Sequence, residues 1–355
     1  MAKIFGVALD AADDPWSLQL KQAWMARDSK KDDWFLAYSD PYDAVINNVA
    51  DILERGNVKL AGKFPVPSWL SPRPESDICL VTAQNVQHFF DKGGILMLTK
   101  QLQSFVTERI LPEMPIMIGI DHSATGGVIS ALAERYGPKA LSVVILDHHF
   151  DAFPLSVRLG KTLRTSSDFG ACMYPVSPLC IEHANQYCCG NFLAHLIDTE
   201  QILPENLLLI GVADYPRQGI SQGCDSLRES YLKFERSGCS FFPSWRFDGE
   251  YLKDLTQFLH ERITTRYVYV SLDLDVGAYR CVHAARYMDG TGIDRESLLA
   301  VAHIIATECR HGAFDLVGFD VMEFNMHSLG IKVSRGTEDL TMFLVRDFIS
   351  ALVDT

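Results

Sequence analysis

The apolar run Leu141-Ser-Val-Val-Ile145 leads without a break into Leu146-Asp147-His148-His149-Phe150-Asp151. In extended chain, alternate side chains point the same way, so Asp147, His149 and Asp151 project together from the end of a buried strand. Two carboxylates and an imidazole seldom close a metal site by themselves. Whatever fold this chain adopts must therefore bring further ligands to the same point.

Other apolar runs end in the same kind of residue. Pro115-Ile-Met-Ile-Gly-Ile120 stops at Asp121-His122-Ser123, and Tyr267-Val-Tyr-Val-Ser-Leu stops at Asp273-Leu-Asp275. Residues 4–9 read as a strand ending at Asp10, residues 314–323 as one carrying Asp320 and Glu323, and residues 207–212 and 78–81 as shorter ones. Between them, helical patterns cover 84–111 with an interruption near Gly93-Gly94, a segment opened by Gly126-Gly127, and 191–197, 226–236, 250–262, 295–310 and 338–352. Strand and helix alternate, which implies right-handed crossovers and a parallel sheet. The expected fold is a three-layer α/β/α sandwich with a mostly parallel sheet, in one domain over residues 1–355. Four prolines in residues 63–74 make that stretch a surface excursion, packed by Phe64, Trp69 and Leu70. The irregular segment at 152–190 follows the ligand cluster, where loops at the carboxyl ends of parallel strands hold sites.

Composition narrows the partners. Forty-five acidic against thirty-two basic residues give a formal net charge of -13, which opposes binding to nucleic acid or an anionic membrane and favours a cationic ligand. Nine scattered cysteines, with no CxxC pair, are not a disulfide framework. The start of the chain lacks the pattern of a secretory signal, and no apolar run reaches membrane-spanning length. The expected compartment is the cytoplasm.

A single aspartate after a strand is more often a helix cap than a ligand, and His122 alone is more often a hydrogen-bonded core residue. Their joint occurrence at three strand ends is a different matter. Parallel strands end at one edge of a sheet, so these groups meet in one cleft. Four carboxylates gathered there repel one another unless cations balance them. Two divalent cations would do so, and the hard oxygen and imidazole donors suit Mn²⁺.

These residues carry a resemblance. Gly119-Ile-Asp-His-Ser123 is similar to the GGDHS element of the arginase and agmatinase (ureohydrolase) superfamily, Asp147-His-His-Phe-Asp151 to its DAHxD element, and Ser271-Leu-Asp-Leu-Asp275 to its SxDxD element. Val317-Gly-Phe-Asp320-Val-Met-Glu323-Phe-Asn325 resembles the late strand whose glutamate holds the substrate guanidinium. The resemblance implies two Mn²⁺ per chain, one held by His122, Asp147, Asp151 and Asp273 and one by Asp147, His149, Asp273 and Asp275. Asp147 and Asp273 would bridge them, Asp151 would also accept a hydrogen bond from the attacking hydroxide and pass its proton on, and Glu323 would bind the guanidinium. The implied reaction releases urea and an amine. Oligomers are a further family expectation.

The segments around the site depart from the family pattern. Val276-Gly-Ala-Tyr-Arg-Cys-Val-His-Ala-Ala-Arg286 replaces the usual Asp-Pro loop, and Asp289-Gly-Thr-Gly-Ile-Asp-Arg-Glu296 recovers the entry to the next helix. Ala152-Phe-Pro-Leu-Ser-Val follows the DAHxD element, and Cys189-Gly190 stands where a His-Gly pair is usual. An altered mouth of this kind fits a guanidinium carried on something other than a free amino acid, an arginine side chain within a peptide above all, with Glu323, His183 and Cys189 as substrate contacts. The alternatives are an agmatinase-like hydrolase of a small guanidino compound, a mononuclear zinc deacetylase of the same fold, and an inactive regulatory paralogue.

Overall fold

The structure, a computed structural model, describes residues 1–12, 14–26, 38–153, 186–216, 225–330 and 339–353. Its strands are β1 (Ala2–Val7), β2 (Val58–Lys63), β3 (Met114–Gly119), β4 (Leu141–Leu146), β5 (Leu207–Ile210), β6 (Ser240–Phe242), β7 (Tyr267–Asp273) and β8 (Asp315–Met322). They form an eight-stranded sheet in the order β2-β1-β3-β8-β7-β4-β5-β6. All of the pairings are parallel. The helices are α1 (Pro15–Ala26), α2 (Pro41–Asn48), α3 (Ala50–Arg55), α4 (Ala83–Asp91), α5 (Gly94–Phe105), α6 (Thr125–Tyr136), α7 (Phe192–Asp198), α8 (Asp225–Ser237), α9 (Leu252–Arg262), α10 (Arg295–Arg310) and α11 (Thr341–Val353).

The period-two alternation of the strands divides the core in two. Ile4, Ile116, Ile118, Val144 and Val270 face Val45 of α2, Ile52 of α3, Leu255 of α9, Val301 of α10 and Phe348 of α11. Phe5, Met117, Val143, Ile145 and Leu209 face the opposite layer, with Leu98 of α5, Leu132 of α6, Phe192 of α7 and Tyr231 of α8. Both faces of the sheet are covered, so its central strands are apolar throughout instead of alternating. All six residues of β4 are buried. The expected three-layer α/β/α sandwich is the architecture found.

The Pro-rich excursion has a definite task. Phe64 N–H donates to Gly6 O (2.8 Å), and Asp10 N–H donates to Leu70 O (2.7 Å). With Phe64 and Leu70 buried, the segment wraps the end of β1 and fixes where Asp10 points.

Residues 78–81 are not a strand. Asp77 enters the left-handed region (φ 63) and Ile78–Leu80 makes a single 3₁₀ turn, with Ile78 48% and Leu80 37% exposed. Val81 is the one buried residue of the run, and it packs with Leu18 and Val86 instead of joining the sheet. Two strands had no reading in the sequence. β2 is an edge strand whose Leu60 is 58% exposed and whose lysines protect the edge. β6 is only three residues long. Among the described residues, no helix is long and apolar enough to cross a membrane.

Beneath the Asp147–Asp151 segment lies an aromatic cluster. Phe150, fully buried, packs against Phe153 (4.9 Å between centroids), Phe234 (4.8 Å) and Phe241 (5.0 Å), mostly edge to face. It points down while its neighbours His149 and Asp151 point into the site. The expected cost of Phe150→Ala is about 3–5 kcal/mol of unfolding free energy, typical of a buried Phe. Denaturant unfolding measures it; a loss below about 1 kcal/mol would show that the cluster does not support the ligand segment.

Candidate metal centre

Along the adjacent strands β1, β3, β8, β7 and β4, the carboxyl ends deliver Asp10, then Asp121 and His122, then Glu323, then Asp273, and finally Asp147, His149 and Asp151. Asp275 follows in the 3₁₀ turn Leu274–Gly277. The six expected metal ligands fall into two groups. His122, Asp147, Asp151 and Asp273 offer ligand atoms within 4.8 Å of one another, as do Asp147, His149 and Asp275. Asp147 belongs to both groups and Asp273 to the first.

His122 Nδ1 lies 3.0 Å from Asp273 Oδ2, 3.1 Å from Asp151 Oδ2 and 3.4 Å from Asp147 Oδ2. Ligands about 2.1 Å from a hard octahedral cation are spaced by about 3 Å along an edge, so this spacing suits an ion at their centre. Asp147 Oδ2 is buried and accepts no hydrogen bond. Its Oδ1 accepts from His149 N–H (2.6 Å), and Asp273 Oδ1 accepts from Asp275 N–H (2.9 Å). One oxygen of each of these two carboxylates is thus fixed by backbone. With no thiolate in either group, the residues fit a pair of hard divalent cations.

Protonation reports the same demand for positive charge. Burial alone would lower the His122 pKa, yet the close carboxylates of Asp147, Asp151 and Asp273 outweigh it and hold the imidazole well above its usual range. Burial likewise opposes His149, but Asp275, at 2.7 Å from Nδ1, and then Asp289, at 3.4 Å from Nε2, push it up to about 12. Burial and the charges of Asp273 and Asp147 raise Asp275 well above the carboxylate range. Each shift favours the protonated form, as expected where carboxylates crowd together without a balancing cation.

Behind His122 runs a chain of buried hydroxyls. Ser271 Oγ donates to Asp320 Oδ1 (2.5 Å), while Asp320 Oδ2 accepts from Tyr269 (2.5 Å) and Thr125 (2.6 Å). Having given its one proton to Asp320, the Ser271 oxygen accepts from His122 Nε2–H at 2.9 Å. In the neutral ring this leaves the Nδ1 lone pair facing the three aspartates, the orientation a ligand needs. The sequence marks Ser271 and Asp320 only as motif positions; their task depends on β7 and β8 being neighbours.

Glu323 is fully buried and has positive φ (65). Its N–H donates to Ile120 O (3.0 Å), and its Oε1 accepts from His122 N–H (3.0 Å). Its Oε2 is buried without a hydrogen-bond partner. Burial raises its pKa well above normal despite the opposing charge of Arg286. Arg286, which sequence reasoning noted only as part of an unusual loop, places Nε 3.8 Å from that oxygen. His148 stays out of both ligand groups, as its alternation predicts, although its N–H donates to Asp275 Oδ1 (3.1 Å). Cys189 is half-buried, and burial followed by the charge of Asp121 pushes its thiol pKa far up. Tyr187 OH donates to Ser123 O (2.7 Å) and fills the space that the missing side chain of Gly126 leaves. His195 packs edge-on against Tyr187 (5.0 Å), away from the ligands. His183 lies outside the described residues.

A profile of the Arginase family matches residues 48–332. The chain belongs to the arginase family. Among curated proteins, proclavaminate amidinohydrolase of Streptomyces clavuligerus is 29% identical over 208 residues, which is 59% of this chain and 53% of that protein. The chain therefore spans about half the length of this curated relative. Arginase from Bacillus caldovelox superposes with a TM-score of 0.59 at 16% identity, covering 100% of this chain and 99% of that one. Formimidoylglutamase from Bacillus subtilis gives 0.55 at 13% identity over 99% and 86% of the two chains. At these identities the solved structures show the arginase-type fold alone.

Two outcomes follow from this geometry. Ser271→Ala removes the acceptor that orients His122 and is expected to weaken metal affinity by about 10–100-fold, measured by metal titration with a competing chelator; unchanged affinity would show that the hydroxyl chain does not matter. The second concerns pH. The pKa values of His122, His149 and Asp275 are raised in the ion-free fold, so the stability they contribute is lost as pH rises. For the imidazoles, the loss begins near the unfolded value of about 6.5 and continues toward the folded one. The chelated protein should melt at progressively lower temperature from about pH 6.5 to 9, and the gap to the metal-loaded protein should widen. A constant gap would contradict proton and metal competition.

Proposed function

We propose that this arginase-family chain is a binuclear manganese hydrolase that cleaves a guanidinium group to urea and an amine, converting an arginine side chain, free or within a peptide, to ornithine. The reading rests on one juxtaposition. Two ligand groups sharing Asp147 stand beside Glu323, whose buried Oε2 has no hydrogen-bond partner. His122 links the two parts, since its ring belongs to the ligand cluster and its N–H holds Glu323 Oε1.

His122, Asp147, Asp151 and Asp273 would hold one Mn²⁺, and Asp147, His149, Asp273 and Asp275 the other. When bound, the pair of ions supplies a hydroxide near neutral pH and neutralises the surrounding carboxylates. The protein's own groups do the rest. Glu323 Oε2 accepts from a guanidinium N–H in a charge-assisted contact, and the fixed Oε1 prevents the carboxylate from rotating away. Hydrolysis moves a proton from the attacking water to the leaving amine, and Asp151, in the His122 ligand group, would carry it. Cys189, kept as a thiol by its surroundings, can donate a hydrogen bond but is a poor nucleophile. Cys189 and His183 remain the proposed substrate contacts beyond the cluster.

Hard donors, with no thiolate in either group among the described residues, support manganese. The amidino group in the name of the Streptomyces relative supports amidine hydrolysis. Two ligand groups, not one, weigh against a mononuclear zinc deacetylase.

Urea release by the Mn²⁺-loaded protein from arginine, agmatine, guanidinobutyrate and an Arg-containing peptide tests the assignment. Turnover of the peptide is expected, whereas turnover of agmatine alone would remove the peptide reading. Asp151→Asn is expected to keep the melting temperature of the metal-loaded protein near wild type and to lower kcat by about 10²-fold or more. An unchanged rate would remove Asp151 from proton transfer.

A further inference from the structure

The segment that departs from the family pattern after Asp275 returns to the site at Arg286, and its main chain is pinned there. Arg286 N–H donates to Glu323 O (3.0 Å), and Asn325 N–H donates to Ala284 O (2.8 Å). Ala285 bridges Phe324 in the antiparallel sense. The side chain, 10% exposed, brings a guanidinium among three carboxylates, with Nη2 3.5 Å from Asp10 Oδ1, Nη1 3.9 Å from Asp121 Oδ2, and Nε 3.8 Å from Glu323 Oε2. Its hydrogen bond runs from Nη2 to the Tyr287 hydroxyl (3.2 Å).

None of the three ionic contacts reaches the roughly 2.7–2.9 Å of a charge-assisted hydrogen bond. Nη1 and Glu323 Oε2 are both buried and both lack a hydrogen-bond partner. Asp10 already has a cation of its own, since Lys21 is 1% exposed and its Nζ lies 3.3 Å from Asp10 Oδ2. Arg286 therefore provides charge at Glu323 without the close, two-pronged fit that would lock it there.

Resting on the guanidinium hydrolysis proposed above, we infer that Arg286 is a specificity-determining residue, an internal guanidinium that competes with the substrate for Glu323. A substrate cation must displace it, or share the carboxylate against the repulsion of a like charge. Small guanidinium compounds, whose attraction comes mainly from that one contact, are selected against. A guanidinium carried on a larger molecule has further contacts that offset the competition. This is the chemistry of an arginine side chain presented by a peptide.

The experiment compares the Mn²⁺-loaded wild type with Arg286→Gln and Arg286→Lys, using agmatine as the probe in titration calorimetry and in urea release. Arg286→Gln is expected to bind agmatine about tenfold more tightly, the scale of one partly desolvated charged contact, with a matching fall in KM; the Arg-containing peptide should gain by a similar factor from a wild-type affinity that its further contacts already make higher. Arg286→Lys keeps a cation for Asp10 and Asp121 but withdraws it from Glu323, so it should also bind agmatine more tightly, by a smaller factor. If loss of the charge unfolds Arg286→Gln, the lysine variant alone decides. Unchanged or weaker agmatine binding in the folded variants overturns the inference, as does an absence of agmatine binding to wild type and variants alike. Binding needs no turnover. A wild type that binds agmatine yet releases no urea from any substrate sinks the hydrolase reading, while variants with unaltered affinity sink the competition at Glu323.

Discussion

Repulsion among Asp147, Asp151, Asp273 and Asp275 is the constraint on which this structure turns. All four are buried, Asp151 and Asp273 gathered with Asp147 in one ligand group and Asp275 with Asp147 in the other. Burial that favours the fold elsewhere is here the source of the cost, because low polarity strengthens like-charge repulsion and removes the water that would screen it. The surrounding architecture limits that cost. Backbone N–H groups hold one oxygen of Asp147, Asp273 and Asp275, and two imidazoles stand between the carboxylates. What remains is a demand for cationic charge, which gives the site its character.

The second determinant is how firmly each side chain is aimed. His122 is tied through Ser271 to Asp320 inside the sheet, so its orientation is set by strand pairing and not by a loop. Phe150 clamps the segment between His149 and Asp151 from below. Glu323 is fixed at its backbone, by Ile120, and at one carboxylate oxygen, by His122. Arg286 is different. Its main chain is held as firmly, but its guanidinium rests among carboxylates at distances that leave it replaceable. The rigid part of the cleft is thus the His/Asp cluster, and the adjustable part is the guanidinium of Arg286.

The ligand groups were legible in the sequence because their signal is local. An apolar run ending in Asp or His can be read without knowing the fold, and parallel topology then gathers such ends at one edge. The strand order was beyond reach, and with it the roles of Ser271 and Asp320, which meet only because β7 and β8 are neighbours. Glu323 was found by resemblance, but its positive φ left no trace, since that position usually signals itself through glycine. Arg286 was invisible for another reason. Its placement depends on a loop that folds back onto β8, and nothing in Ala284-Ala-Arg-Tyr287 announces that return. At the edges, β2 and β6 are too exposed or too short to carry a strong period, whereas the short apolar stretch at 78–81 suggested a strand although only Val81 of it is buried, in a small cluster away from the sheet.

The order of strands also has a consequence for how the protein comes into being. β3 and β4 are joined by the single helix α6, yet in the sheet they stand apart, with β8 and β7 between them. The final spacing of His122 and Asp147 therefore includes two strands that come from much later in the chain. During synthesis, the amino-terminal two-thirds carries four of the six ligands but lacks the wedge that sets their separation. Both candidate ligand groups are therefore complete only once β7 stands beside β4, so their assembly reports on the finished strand order.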